Sequence, residues 1–375
     1  MNTKLKQIIN NFKFIGTLSN IEENKQGNIN KTYILTYKNK NKTLKYLLQE
    51  INANVFKEPD LVMHNIELVT NHINKKLKSN KDTTHKTLTI IKTLDDKNMY
   101  VCTNNNELKY YRAFDFIENC ISYDSFKDSK NANFLAYNAG KSFGYFQALL
   151  KDFNPNLLHE TINDFHNTKK RFNSLLEAIE NKITNRASLF SKEIIDLMKR
   201  IKEYSVIVDK LGSTIPIRVT HNDTKLNNIL MNKDTNEGIA IIDLDTVMPG
   251  SILYDIGDGI RSACANSFED ETDKEKIYLN LDLTKSYLKG FLEETYYFLT
   301  DEEIKYIGLS IKILTYELAL RFLTDYLNGD IYFKIKYLDH NKDRFLNQYI
   351  LLLDLDKKID EIDEFVLETI KELKK

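Results

Sequence analysis

From Thr220 to Asp245 the chain reads THNDTKLNNILMNKDTNEGIAIIDLD, with Asp223 five positions before Asn228, and with Asp243 and Asp245 closing the stretch. A carboxylate at Asp223 can take the proton of a substrate hydroxyl. Asn228 and Asp243 offer hard oxygen ligands, the kind magnesium accepts while keeping waters and a substrate phosphate as its other ligands. Together these are the parts phosphoryl transfer needs: a base for the acceptor and a metal grip on the phosphates. D-x-x-x-x-N alone arises often by chance, because Asp and Asn are ordinary turn residues. The ordered conjunction of His221, Asp223, Asn228 and Asp243 carries the reading. His221 is read as a brace for the loop, since one carboxylate already serves as base.

Those residues need a frame. The runs ILM (229–231) and IAII (239–242) flank NKDTNEG, whose Asn, Asp and Gly content makes a turn, so the stretch is expected to fold as a hairpin. In an antiparallel pair the residue entering the first strand meets the residue leaving the second, which brings Asn228 beside Asp243.

The first hundred residues read as a small antiparallel sheet: FIGTL, then NINKTYILTY, a KNKNK turn, and TLKYLLQEIN. Val62, Ile66, Val69, Ile73 and Leu77 recur at helical spacing, so one helix is expected to pack on that sheet. Strands resume at KTLTIIKTL, MYVCT and LKYYRAFDFIENC. Beyond Ser122 the pattern is mainly helical, through the stripe Ile304, Ile307, Ile311, Leu314, Leu318 and Phe322 to an amphipathic tail helix. The expected organisation is an N-terminal lobe over 1–113, a hinge over 114–120 and a C-terminal lobe over 121–375.

At 375 residues the chain exceeds what one compact core usually supports. Its 53 basic and 54 acidic residues give a net charge of −1, with no electrostatic pull toward nucleic acid or an anionic membrane. Cys102, Cys120 and Cys264 form neither a disulfide framework nor a zinc pattern. The first residues show no signal-peptide core, and no 18-residue apolar run occurs, so the expectation is a soluble cytoplasmic protein. Arginine is scarce among the basic residues, which favours a planar, bidentate task for each one.

The pattern HNDTKLNN followed by IIDLD resembles the aminoglycoside phosphotransferase and choline kinase superfamily. More narrowly, GNINKTYIL, YLLQEINANVFKEPDLVMHNIELVTNHI, FDFIENCISYD, DFHNTKKRF, DLDTVMPGSILYDIGDGIRS and RFLTDYLNGDIYFKI resemble the N-acetylhexosamine 1-kinases, over about residues 27–348. The resemblance implies an α+β, protein-kinase-like bilobal fold with a small antiparallel-sheet lobe for ATP and a larger, mainly helical lobe. It implies transfer of the ATP γ-phosphate, with Mg2+ as cofactor, to the anomeric hydroxyl of GlcNAc or GalNAc. Asp223 is then the base, Asn228 and Asp243 the metal ligands, and Asp245 a further acid near the metal. Gly27 and Asn28 fall in the phosphate-covering loop, Phe116 and Glu118 in the adenine hinge. Glu67 matches the acidic partner of the phosphate-contacting strand residue.

Two departures stand out. General kinases carry a lysine on the phosphates where this chain has Gln49, and a neutral amide supplies less charge stabilisation. The phosphate loop keeps only Gly27 of a richer glycine pattern.

A neutral N-acetyl sugar needs hydrogen-bonding groups and an aromatic wall, whereas choline or an aminoglycoside needs acids or an aromatic cage. The resemblance implies a sugar contact for Arg321 and Tyr332, and His166, Asp115 and Tyr123 are further candidates for the sugar. The competing role for Arg321 is a salt-bridge chain with Glu317 and Asp325 at four-residue spacing, and that for Asn167 or Thr168 a helix N-cap. The rival functions are another small-molecule kinase, for choline, homoserine or a different sugar, and a catalytically silent nucleotide- or sugar-binding module.

Overall fold

The computed structural model describes residues 3–24, 29–104, 106–127 and 129–375. The chain divides into two compact units: Met1–Cys120 with Asn156–Ile162 and Ile242–Met248, and Ile121–Pro155 with Asn163–Ile241 and Pro249–Lys375. The two inserted segments of the first unit, 156–162 and 242–248, come from sequence that the expected boundaries give to the C-terminal lobe.

The first unit holds α1 (Thr3–Ile9), β1 (Thr17–Asn24), β2 (Lys31–Asn39), β3 (Lys42–Ile51), α2 (Pro59–Ser79), β4 (Ile90–Ile91), β5 (Tyr100–Asn104) and β6 (Glu107–Asp115). The antiparallel sheet has the order β1-β2-β3-β6-β4, with β5 on β6. Alternation along the strands separates its two faces. Leu35, Tyr37, Tyr46, Leu48, Tyr111 and Ala113 join Ile8, Ile9 and Phe12 in one buried cluster. On the opposite parity, the register places Thr32, Gln49 and Arg112 in a row across β2, β3 and β6. α2 buries Val62, Ile66, Val69, Ile73 and Leu77, the stripe read from the sequence.

Two local expectations change. The polar run SNIEEN is strand, because pairing with β2 rather than its own apolar content fixes it. KTLTIIKTL yields only the two-residue β4, which pairs Ile90 and Ile91 with Phe114 and Ala113.

The chain goes on through β7 (Cys120–Ile121), α3 (Ala132–Leu150), α4 (Thr168–Asn181), α5 (Ser191–Tyr204), α6 (Val206–Lys210), β8 (Arg218–Thr220), β9 (Ile229–Asn232), β10 (Gly238–Ile241), β11 (Met248–Gly250), α7 (Ile252–Cys264), α8 (Leu281–Thr295), α9 (Asp301–Lys305), α10 (Ile307–Leu327) and α11 (His340–Leu373). α3 and α8 approach so closely that a Cβ on Gly140 would stand 1.9 Å from the Tyr287 carbonyl oxygen, and one on Gly290 would stand 2.1 Å from that of Tyr137. Only glycine fits either position. α10 is buried nearly all round, Lys312, Glu317 and Asp325 included, so its polar side chains must find partners inside the unit. The single helix expected over 302–327 breaks at Tyr306, and the tail helix is the end of the 34-residue α11. Among the described residues no helix is long and apolar enough to cross a membrane.

Candidate active site

The expected hairpin is present in the second unit, with Ile229 paired to Ile241 and Leu230 to Ala240. The loop before it is suspended from α7. The buried Asp255 carboxylate accepts the backbone N–H of His221 and of Asn222, both at 2.8 Å, and the Gln147 side-chain N–H at 2.6 Å. Burial pushes the Asp255 carboxyl pKa up, against the pull of these donors. One helical turn on, Asp258 accepts from the Thr224 backbone N–H at 3.2 Å and is itself held by Arg261 at 2.8 Å. His221 is fully buried, edge-on to Phe143 and Phe146.

Asp223 emerges from this rigid loop. Its Oδ1 lies 2.8 Å from the Lys225 ammonium, and the Asn228 amide N–H donates to its backbone oxygen at 2.8 Å. Burial alone would raise the Asp223 carboxyl pKa; Lys225, with help from His221 and Asn228, outweighs it and holds the pKa below the usual carboxylate value. The group is therefore ionised at neutral pH, as a proton acceptor must be. Lys225 went unassigned in the sequence, where one more lysine in a lysine-rich chain carries no signal. Because Asn228 gives its N–H groups to Asp223, its Oδ1 is turned away and is free to act as an acceptor.

A second set of residues lies in the same unit. His166 sets Nδ1 3.0 Å from Glu317 and Nε2 3.2 Å from the Asn222 carbonyl oxygen, and its ring rests on Tyr254 with centroids 4.9 Å apart. It was expected to touch the acceptor; here both ring nitrogens are engaged by the protein, and His166 ties the loop at Asn222 to α10. Thr168 donates to the other Glu317 oxygen, and Asn167 caps α4 by accepting the Lys170 backbone N–H at 3.1 Å.

Neither carboxylate on α10 pairs with Arg321. Asp325 accepts the backbone N–H groups of Ile331, Tyr332 and Phe333 at 2.8–3.0 Å, fixing the loop after α10. The Arg321 guanidinium instead sits among three rings, 5.7 Å from the centroid of Phe165, 6.0 Å from Tyr332 and 5.3 Å from Phe333. Tyr332 is 69% exposed, so this wall faces solvent. Arg171 lies close by, donating to the Phe165 carbonyl oxygen at 2.7 Å; burial first, and then the Arg321 charge, lower its pKa. The sequence reading passed over Arg171, although the scarcity of arginine was a signal that could have found it. Tyr123 is elsewhere: its hydroxyl donates to Asn236 at 2.8 Å, at the hairpin tip opposite the Asn228 end.

In the first unit, Asp243 is exposed in a left-handed conformation, φ 58°, at the head of the turn Leu244–Thr246. Asp tolerates that backbone better than most residues. Asp245, expected beside the metal, is buried with both oxygens taken: Arg112 grips them as a fork, Nη2 at 2.9 Å, and the Asn30 amide donates at 2.6 Å. Arg112 also donates from Nε to the Gln49 oxygen at 3.0 Å. Glu67 does not reach Gln49; it pairs with Lys92 and accepts from Asn98 at 2.7 Å. Asp115, Phe116 and Glu118 line one surface depression of the first unit with Lys45, Asn74 and Thr89. Gly27 and Asn28 lie outside the described residues.

Asn228 Oδ1 in the second unit and the exposed Asp243 carboxylate in the first are each oxygens of the hard type, and both Asp245 oxygens are engaged by Arg112 and Asn30. Among the described residues no three His, Cys, Asp or Glu side chains group as a closed metal cage. Magnesium is commonly bound through one or two protein oxygens plus water and phosphate, so the lack of such a cage does not disqualify either oxygen.

Residues 95–277, just under half of the chain, match the model of the phosphotransferase enzyme family known as APH. Across the whole length, the structure is similar to choline kinase from Cryptosporidium parvum, with a TM-score of 0.58 at 14% identity over 100% of both chains. It is similar to a spectinomycin phosphotransferase solved with ADP and spectinomycin, TM-score 0.58 at 13% identity over 96% of this chain and 99% of that one. An amicoumacin kinase solved with AMP-PNP, Ca2+ and its antibiotic scores 0.58 at 11% identity, over 96% of this chain and 93% of the other. The chain therefore has the protein-kinase-like fold of the aminoglycoside phosphotransferases and choline kinases, and its residues 95–277 match the phosphotransferase enzyme family.

Proposed function

We propose that the protein transfers the γ-phosphate of ATP to the anomeric hydroxyl of an N-acetylhexosamine, GlcNAc or GalNAc, yielding the sugar 1-phosphate and ADP. The observation that carries this reading is the Asp223 carboxylate, held ionised by Lys225 on a loop that α7 fixes through Asp255 and Asp258. In the proposed step Asp223 takes the hydroxyl proton as the acceptor oxygen bonds to the γ-phosphorus and the bond to the ADP oxygen breaks. In a loose transition state that proton need move only late. Lys225 keeps the carboxylate charged before the transfer. Asn228 and Asp243 would hold magnesium, which neutralises charge on the phosphates.

The acceptor side supports a neutral, oxygen-rich substrate. Arg321 stands among aromatic rings beside Arg171, an arrangement that repels a quaternary ammonium or an aminoglycoside and offers donors to hydroxyl and acetamido oxygens. Tyr332 gives such a sugar a flat apolar wall.

ADP release from ATP, assayed with GlcNAc, GalNAc, choline and homoserine, tests the substrate class. Turnover on choline with none on either sugar overturns it. With the sugar, the product is expected to lose its reducing end, which locates the phosphate on the anomeric oxygen. Asp223→Asn is expected to lower kcat by several orders of magnitude with ATP binding retained; an unchanged kcat removes Asp223 from the base role.

A further inference from the structure

Thr32, Gln49 and Arg112 stand directly opposite one another on three adjacent strands, so their side chains share one face of the sheet. A guanidinium has donors and no acceptor. Arg112 Nε lies 3.0 Å from one end of the Gln49 amide, and that end must therefore be the carbonyl oxygen. The NH2 end is directed the other way, where one N–H donates to Thr32 Oγ1 at 3.1 Å. Among the described residues the second N–H has no partner. Thr32 itself donates to the carbonyl of Asn30, so it is committed as the acceptor from Gln49.

Arg112 cannot turn to release Gln49. It is 2% exposed, and its two terminal nitrogens are forked onto Asp245, which also accepts from Asn30, three residues after the phosphate-covering loop position Gly27. Its ring neighbour Phe114 lies 5.3 Å below. One buried arginine thus fixes the amide on β3, the turn that begins at Asp243, and the entry to β2.

We infer that Arg112 sets the polarity of Gln49, so that this strand position meets a nucleotide phosphate with an N–H donor and never with its oxygen. The inference rests on the ATP reading proposed above. It accounts for how a chain lacking the strand lysine keeps a donor there: with only acceptors around it, a free glutamine could present either end, and half of its orientations would set oxygen against phosphate oxygen. Arg112 acts through Gln49 and is a positioning residue. Its charge is balanced by Asp245, so the phosphate is met by an oriented dipole.

The test is a coupling measurement on the full chain. Kd values for ATP and for adenosine are taken by calorimetry for wild type, Gln49→Met, the charge-balanced pair Arg112→Met with Asp245→Asn, and all three changes together. Gln49→Met is expected to weaken ATP about fivefold to tenfold and leave adenosine unchanged, since only the phosphates see the amide. The pair is expected to do the same, and the triple variant to be no worse than either. Losses that multiply, or an ATP Kd unmoved by Gln49→Met, overturn the inference. Should the pair not fold, the wild-type protein decides: a side-chain amide proton of Gln49, assigned by its absence in Gln49→Met, is expected to move downfield with ATP and not with adenosine, and an unmoved signal overturns the inference. Wild type that binds no nucleotide overturns the ATP reading and this inference together; wild type that binds ATP while Gln49→Met matches it overturns this inference alone.

Discussion

Nε2 of His166 lies 3.2 Å from the carbonyl oxygen of Asn222, the residue before Asp223. Through this contact a side chain 57 positions upstream of the proposed base helps set where Asp223 points. His166→Ala is expected to lower kcat about tenfold to a hundredfold with little change in the KM for the acceptor, because a displaced catalytic group costs rate more than binding. Steady-state kinetics check it. A raised acceptor KM at unchanged kcat would return His166 to the substrate-contact role.

Arg321→Ala carries the opposite signature. Its guanidinium meets rings and solvent, and among the described residues it has no carboxylate to lose, so the protein is expected to keep its stability within about 0.5 kcal/mol. The acceptor KM is expected to rise at least tenfold while the Kd for ATP stays constant. A KM equal to wild type would leave Arg321 as a stacking residue only.

Gln49→Lys restores the residue that general kinases place on the phosphates, yet here it is expected to destabilise. The ammonium would confront Arg112, and the buried Nε of that guanidinium would lose its acceptor. An unsatisfied buried donor costs about 1–3 kcal/mol. A lowered denaturant midpoint is the readout, and a midpoint at or above wild type would refute the geometry.

Asp356 links α11 to α5 and α10, accepting from Arg200 at 2.7 Å and lying 2.8 Å from Lys312. Burial opposes its charge, but those two cations prevail and hold its pKa below the usual carboxylate value. A folded pKa below the unfolded value of about 3.9 means stability that is fully present above that pH and lost as pH falls through the folded pKa. Asp356→Asn is expected to lower stability by about 1–3 kcal/mol at pH 7, with the gap to wild type closing below about pH 4. Urea melts across pH measure this, and a gap independent of pH would contradict it.

The sheet, the α2 stripe and the 229–241 hairpin were legible because each rests on a local rule: alternation, helical spacing, turn composition. The spacing of Asp223 to Asn228 singled out a pair that the structure brings into contact, the Asn228 amide donating to the Asp223 backbone oxygen. What escaped was partner choice. Glu67, Asp245, His166 and Tyr123 were assigned by position along the chain, whereas their partners Lys92, Arg112, Glu317 and Asn236 come from 25 to 151 residues away. No periodicity encodes such a pairing. Burial also reversed a spacing argument: Glu317 and Asp325 stand four residues either side of Arg321, yet each is claimed by groups off the helix.

The segments 156–162 and 242–248 belong to the first unit although some 35 residues or more separate each from its main body at Cys120. Asn65 on α2 donates to the carbonyls of His159 and Val247, at 2.8 and 2.9 Å, and Arg112 depends on Asp245. A fragment ending at Cys120 would carry a buried guanidinium stripped of its anion, at a cost of about 3–5 kcal/mol. The first unit is therefore not a cassette that recombination could lift out and trade for another; whatever tunes it must be inherited together with the sequence of the second unit that lies between its segments.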